Sequence, residues 1–314
     1  MLRDSKIFVA GHRGLVGSAI LRRLRAEGHE QIVTSTRAEL DLRDQAQVRA
    51  FFREVRPEFI FLAAAKVGGI LANSRYPADF IRDNLLVQTN VIDAAYRNGC
   101  KKLLFLGSSC IYPKHAPQPI KEEYLLTGPL ETSNHAYAVA KIAGIEMVKS
   151  YRRQYGWSGV CLQPTNLYGP GDNFDLESSH VLPALMRKLH EGKVSGVDQV
   201  TVWGSGMPRR EFLHADDLAE AALFAMNHYD DDEILNVGVG TECTIRELAE
   251  LLSRTVGYRG HLHFDTTKPD GTPRKLLDVS RINAAGWRAR ISLEEGARST
   301  YDWYLENVAK PGAP

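Results

Sequence analysis

Long apolar runs are missing from this chain. No stretch approaches the roughly 20 apolar residues that a bilayer-spanning helix needs. Met1 to Lys6 leads straight into Ile7-Phe8-Val9-Ala10, a run too short for a secretory signal core and without a cleavage-site pattern. Cysteine is scarce: Cys100, Cys110, Cys161 and Cys243 form no CxxC pair and have no metal-like spacing with histidine. Such usage fits a reducing cytoplasm with free thiols, and no metal site is expected. An excess of one charge is also lacking, since 39 Lys and Arg oppose 38 Asp and Glu for a net charge of +1. That balance argues against nucleic acid or an anionic membrane as the main partner. Anionic ligands therefore have to be met by local clusters of Arg and Lys. What remains is an ordinary globular composition over 314 residues, long enough for one large α/β domain or two closely joined ones.

The first half alternates short β-rich runs near 6–10, 31–35, 58–63, 103–107 and 159–163 with helical patterns near 15–27, 44–55, 77–98 and 136–155. This alternation predicts a doubly wound parallel Rossmann sheet. Beyond Pro164 the pattern loosens into a loop at Tyr168-Gly169-Pro170-Gly171-Asp172-Asn173 and a helix starting near Ser179 or His180. A strand near 200–203, a helix at 216–227 and a strand at 234–237 follow. Thr244 is placed to cap a helix to Thr255, with Glu247 completing a capping box. A strand at 261–264 and a helix from about Leu293 finish the chain. The expected division is a cofactor domain of 1–165, with 211–237 returning to it, and a smaller α/β lobe of 166–210 and 238–314.

The first strand ends in Gly11-His12-Arg13-Gly14-Leu15-Val16-Gly17. Glycines at this spacing let the backbone turn tightly toward a pyrophosphate, and the helix that follows offers free N–H groups. The spacing matches the version used by short-chain dehydrogenase/reductases; an ordinary glycine-rich turn is the alternative. An NAD enzyme usually has Asp or Glu at the end of strand two. Here Thr34-Ser35-Thr36-Arg37 puts Arg37 there, with Arg13 in the glycine loop. Two guanidinium groups suit the 2′-phosphate of NADP(H), although Arg37 also reads as a solvated strand-end charge. Asp41 is a candidate acceptor for adenine, with Leu42 beside it. Ala63-Ala64-Ala65-Lys66 resembles a small-residue stretch against which such a cofactor lies.

Strand four leads into Leu106-Gly107-Ser108-Ser109-Cys110-Ile111-Tyr112-Pro113, and Tyr137-Ala138-Val139-Ala140-Lys141 follows in a helical pattern. The i,i+4 spacing stacks Tyr137 and Lys141 on one helix face. A nearby ammonium is expected to bring the phenol from about 10 toward the working range. Ser108 can bond the same substrate oxygen, so the trio can protonate a carbonyl oxygen while hydride reaches its carbon. Alone, Tyr and Lys four apart are common on surface helices. Behind a glycine turn and a strand-ending Ser-Ser, they identify the chain as a member of the extended short-chain dehydrogenase/reductases. A non-catalytic NADP-binding sensor on the same scaffold has no need of the pair.

Related sugar-nucleotide dehydratases place an acidic residue just after the strand-four serine or threonine, where this chain has Ser109 and Cys110. If the chain stays extended, Cys110 points to the same side as Ser108. A thiol becomes a competent base beside a cation, and a small buried filler is the alternative reading. The stretches Gly107–Pro113, Pro164-Thr165-Asn166-Leu167-Tyr168-Gly169-Pro170 and Ser179-His180-Val181-Leu182-Pro183-Ala184-Leu185 closely resemble GDP-L-fucose synthase. So do Val202-Trp203-Gly204-Ser205-Gly206, Arg210-Glu211-Phe212-Leu213-His214 and Lys268-Pro269-Asp270-Gly271-Thr272-Pro273-Arg274-Lys275.

This resemblance implies conversion of GDP-4-keto-6-deoxy-D-mannose to GDP-L-fucose by C3 and C5 epimerisation and NADPH-dependent reduction at C4. It assigns Cys110 as base and His180 as acid, although His180 alone also reads as a helix-start residue with no chemistry. It adds Leu106, Gly107, Lys141, Pro164, Asn166, Leu167 and His180 to the cofactor contacts, and gives the GDP-sugar to Lys188, Trp203, Arg210 and Asp270. Lys188 stands where relatives carry Arg, keeping the charge without bidentate geometry. The runner-up is an NAD(P)-dependent sugar-nucleotide 4-epimerase or 4,6-dehydratase. Apolar stripes on the helices at 77–98 and 136–155 (Ile81, Leu85, Val91, Ile92; Ile142, Ile145, Val148) suit a homodimer by the same resemblance, or core packing.

Overall fold

The computed structural model describes residues 1–268 and 270–309; Pro269, quoted in one motif above, lies outside them. Along the chain run β1 (Ile7–Ala10), α1 (Leu15–Ala26), β2 (Ile32–Val33), α2 (Gln45–Val55), β3 (Phe59–Leu62), α3 (Ile70–Arg75), α4 (Pro77–Arg97) and β4 (Lys102–Leu106). Three short 3-10 turns then precede α5 (His135–Tyr155) and β5 (Ser158–Pro164). Beyond them come β6 (Asn166–Tyr168), α6 (Val181–Ser195), β7 (Gln199–Trp203), β8 (Arg209–Arg210), β9 (Phe212–His214), α7 (Ala215–His228) and β10 (Leu235–Val237). The last elements are β11 (Cys243–Thr244), α8 (Ile245–Val256), β12 (His261–Asp265), β13 (Arg274–Lys275), α9 (Ser280–Ala285) and α10 (Leu293–Asn307).

Six strands form one parallel sheet in the order β10-β5-β4-β3-β1-β2. Because helices cover both faces, β1 and β4 are buried along their whole length and read as continuous apolar runs. Within β1 the side chains still alternate: Phe8 and Ala10 pack with Val48, Phe52, Val91, Ile92 and Ile145, while Ile7 and Val9 pack with Ile20, Leu24, Leu218 and Ala222. Each of the larger side chains among these, the Val, Ile, Leu and Phe residues, contributes about 1.5–3 kcal/mol. The direction of winding reverses between β1 and β3, which opens a crevice at the carboxyl ends of those strands.

A third cluster joins α6, α8 and α10 through Leu182, Leu185, Met186, Leu189, Leu248, Leu252 and Tyr301. Both later helices start with capping boxes, Thr244 with Glu247 and Ser292 with Glu295. Pairs β7–β12, β6–β9 and the set β11-β8-β13 complete this region. Five of these last seven strands, β6, β8, β9, β11 and β13, were absent from the sequence expectation. Two or three residues carry no readable period. The six-residue α3 was missed for the same reason. β2 is shorter than expected because the Glu39 carboxylate bonds the Thr36 N–H at 2.7 Å and turns the chain out of the sheet.

The apolar stripes of α4 and α5 are mostly core. Val91, Ile92, Ile145 and Val148 are buried within this chain, whereas Ile81 and Leu85 are half-buried and Leu86 is exposed. Gln88 ties the two helices by donating to the Ala140 carbonyl at 2.6 Å.

Candidate active site

Gly11 leaves β1 with a φ of +87°, a conformation that favours glycine. A Cβ there would lie 2.8 Å from the Ala64 nitrogen, and one on Gly17 would lie 2.1 Å from the Gly11 carbonyl oxygen. The glycine turn is thus packed against itself and against Ala63-Ala64 at the end of β3. Gly14 precedes α1 without a side-chain cap, and the first turn of that helix carries no acidic residue. The helix start, between His12 and Val16, can therefore serve an anion. Gly17→Ala is expected to cost about 1–3 kcal/mol of stability and to weaken dinucleotide binding, because backbone has to move. Thermal melting and nucleotide titration check this; unchanged values for both would show that the turn can open freely.

Arg13 and Arg37 are exposed at this crevice, and neither donates a hydrogen bond among the described residues. Asp41 stands differently from the simple acceptor foreseen. Its carboxylate takes Arg43 Nε at 2.9 Å and Nη2 at 2.5 Å, and these bonds hold it down to about 2. An adenine amino group would meet only its remaining lone pairs. Leu42 packs half-buried against the core.

At the end of β4 a Cβ on Gly107 would come 1.9 Å from Gln163 Oε1, which accepts the Ser108 N–H at 3.0 Å. Ser108 is extended, and its hydroxyl caps a 3-10 turn, Ser109–Ile111, by accepting the Cys110 N–H at 3.2 Å. The expected extended path to Cys110 is therefore corrected: the serine side chain folds the chain into a turn. Cys110 nevertheless stays near the Tyr137 phenol, whose electrostatics its sulfur influences.

Tyr137 and Lys141 share one face of α5, but the electrostatics differ from the expectation. Burial pushes the Tyr137 phenol up, Cys110 adds to the rise, and the Ser108 hydroxyl opposes it. Lys141 is buried, donates to the Leu106 carbonyl at 2.6 Å and lies 5.8 Å from the Tyr137 ring centroid. Burial draws its own ammonium down to about 8. A phenol held protonated at neutral pH is a proton donor, which is the form reduction of a ketone requires. A rate that needs Lys141 charged is expected to fall as pH rises through about 8, visible as a descending limb in the pH profile of reduction.

His180 sits one residue before α6, but its ring makes no cap bond. The ring is exposed to the cleft, yet protein crowding and then the Lys275 charge draw its pKa down. Lys275 Nζ lies 3.5 Å from Cys110 Sγ. Tyr137, Cys110, Lys275 and His180 thus come together from four separate parts of the chain.

The residues that the resemblance assigns to the sugar nucleotide come from α6, β7, β8 and the loop before β13. Lys188 Nζ is 4.9 Å from the Trp203 ring centroid, and Lys268 Nζ is 5.7 Å from it. Trp203 is 53% exposed, leaving a flat apolar face available for a base. Asp270 accepts the Ser205 N–H at 2.6 Å and the Ser205 hydroxyl at 2.8 Å, while its charge offsets part of the burial that draws Arg210 down. Among the cofactor candidates on the substrate side, Pro164 ends β5, Leu167 packs half-buried, and Asn166 donates to the Glu211 carbonyl at 2.8 Å.

The NAD dependent epimerase/dehydratase family pattern matches residues 7–238. GDP-L-fucose synthase 1 of Arabidopsis thaliana is 60% identical over 98% of this chain and 95% of that protein. The chain belongs to the GDP-L-fucose synthase family. A second relative, GDP-L-fucose synthase of Escherichia coli K12, is 53% identical over 98% of each chain. A GDP-mannoheptose C4 reductase from Campylobacter jejuni, solved with NADP bound, is 40% identical, covers 97% of this chain and 99% of its own, and has a TM-score of 0.91.

Three further residues of this family member shape the site. Lys275 was quoted in a motif without a role; its proximity to Cys110 spans 165 positions and has no local signal. Gln163 is fully buried and sets the backbone of Ser108. Glu211 is also fully buried, and accepts from Val239 N and Gly240 N at 2.7 Å and from Leu277 N at 3.1 Å. It fixes the frame that carries Arg210 and Lys275.

Proposed function

We propose that this chain converts GDP-4-keto-6-deoxy-D-mannose to GDP-L-fucose, inverting C3 and C5 and reducing the C4 ketone with NADPH. The observation that carries this reading is a thiol, Cys110, set beside the carbonyl-protonating pair Ser108 and Tyr137, where a dehydratase needs a carboxylate. Identity of 53–60% to GDP-L-fucose synthases along nearly the whole chain supports the same substrate.

Protons on the carbons flanking a ketone are acidic because the enolate spreads charge onto oxygen. Cys110 removes such a proton from one face and His180 delivers one to the other, a two-residue relay suited to inversion. The negative diphosphate and enolate favour the protonated imidazole that the acid step needs. Ser108 and Tyr137 steady the enolate oxygen, and Tyr137 then protonates the C4 oxygen during reduction. Lys141 anchors α5 to Leu106 and presents its charge below the tyrosine ring.

The glycine turn, the uncapped start of α1 and the exposed Arg13 and Arg37 fit a dinucleotide with a 2′-phosphate. NADPH supplies the hydride that reaches C4. Gly11 to Gly17, Arg37, Asp41, Leu42, Leu106, Gly107, Lys141, Pro164, Asn166, Leu167 and His180 would hold it. Lys188 and Arg210 would take the diphosphate, Trp203 the base face and Asp270 the guanine N–H edge. Arg37→Asp is expected to raise KM for NADPH by about 10- to 100-fold, the loss of a charged hydrogen bond, while sparing KM for NADH. An equal rise for both cofactors would place Arg37 outside the phosphate site.

The division into a cofactor domain of 1–165 with 211–237 and a substrate lobe of 166–210 with 238–314 is supported by β10 joining the large sheet. A homodimer would use the part of the α4–α5 face left by core packing, Ile81, Leu85 and Leu86. No described helix is long and apolar enough to cross a membrane; a cytoplasmic location is proposed from the free thiols.

The test is a single assay with NADPH and GDP-4-keto-6-deoxy-D-mannose, following absorbance and identifying the sugar. One NADPH oxidised per GDP-L-fucose formed is expected. Turnover without net oxidation would favour a 4-epimerase or dehydratase, and binding without turnover a sensor.

A further inference from the structure

We propose that Lys275 is the counter-ion of Cys110: its ammonium, 3.5 Å from the sulfur, keeps the thiol in the proton-accepting thiolate form. This rests on the reading of Cys110 as the epimerisation base. Two features carry it, the ion inventory of the cavity and the way Lys275 is held.

The cavity beside Cys110 is lined by three cations, Lys114, Arg274 and Lys275. Lys114 is paired with Glu131 at 3.1 Å, and Arg274 with Glu242 at 2.9 Å. Lys275 has no carboxylate in ion-pair reach among the described residues, and its recorded hydrogen bond goes to sulfur. A half-buried ammonium without an anion leaves part of its hydration unreplaced, and a thiolate at this distance supplies the missing charge. The other titratable groups facing the pair are Tyr137 from α5 and His180 ahead of α6. Neither is anionic at neutral pH, so neither competes for the ammonium.

The backbone of Lys275 is held from several directions. β13 pairs it with Arg210 of β8, Leu276 N donates to Gln118 Oε1 at 2.8 Å, and Leu277 N donates to the buried Glu211 at 3.1 Å. Its stem is therefore aimed by rigid neighbours and not by a mobile loop. In the epimerisation step the carbon-bound proton moves to the sulfur and the C–H electron pair enters the enolate. Lys275 keeps its own proton throughout, so it is a positioning residue acting through Cys110.

The test is the rate of Cys110 alkylation by iodoacetamide, followed by peptide mass spectrometry on the full chain without substrate at pH 7 and pH 9. Lys275→Met is expected to slow alkylation about tenfold at pH 7 and much less at pH 9, where hydroxide replaces the missing influence. Lys275→Arg should stay near the unaltered protein, and Lys275→Gln serves as the neutral variant should the Met variant not fold. Unchanged alkylation at pH 7 in the neutral variant overturns the proposal, as does an equal deficit at both pH values, which marks altered access alone. Solvent deuterium exchange at C3 and C5 by Cys110→Ser is measured separately. Normal exchange there sinks the base assignment, whatever alkylation shows about Lys275.

Discussion

Tyr137→Phe is expected to reduce NADPH oxidation by about 10²–10⁴-fold, the usual worth of a positioned general acid. The substitution removes one oxygen and keeps the ring, which packs edge-on against Phe80 at 6.5 Å between centroids. Stability and NADPH affinity should therefore hardly move, whereas kcat should collapse. The raised phenol makes the expectation sharper: Tyr137 starts the reaction protonated across the neutral range, so the loss concerns a proton donor. Exchange of the C3 and C5 protons should also slow, less severely, because Ser108 still bonds the enolate oxygen. Stopped-flow absorbance gives the first quantity and deuterium incorporation the second. A variant that retains a tenth or more of the NADPH oxidation rate would remove Tyr137 from the acid role.

Cys110→Ser is the second large effect. A serine hydroxyl is far less acidic than a thiol, and Lys275 at the same distance cannot make up that difference. Inversion is expected to drop by about 10²–10⁴-fold, in line with losing a general base. Reduction should survive in part, because Ser108, Tyr137 and Lys141 are untouched, and the product should lack the inverted centres. The 3-10 turn at 109–111 depends on the backbone N–H of residue 110 and not on its side chain, so the local fold should persist. Product analysis by NMR settles the matter: normal GDP-L-fucose from this variant would falsify the base assignment. The contrast between the two variants is itself informative, since one loses reduction and the other loses inversion at a single site.

How far residues could be read without coordinates varied with the range of the interaction. The Thr244–Glu247 box closed as its spacing foretold, because a cap is settled within four residues. The short β8, β11 and β13 were invisible, since each exists only as a partner to a distant strand. The apolar stripes of α4 and α5 were visible but ambiguous. Their burial shows that Val91, Ile92, Ile145 and Val148 serve the chain's own core and leave only a narrow face for a second copy. The extended path to Cys110 failed on one hydrogen bond, which no pattern of apolar residues encodes.

By itself the sequence determined the parallel sheet, the glycine turn and the Tyr137–Lys141 stack, and its resemblance brought forward Ser108, Cys110 and His180 as candidates. All of these are set by spacings of a few residues, by residue type or by resemblance. Only the tertiary structure decided the charge state of the tyrosine, the turn at Cys110 and the presence of Lys275 beside it. Desolvation depends on everything packed around a group, and ion proximity on elements 165 positions apart. Neither quantity is written in any local stretch of residues, which is why the proton-transfer group had to be seen folded before its electrostatics could be assigned.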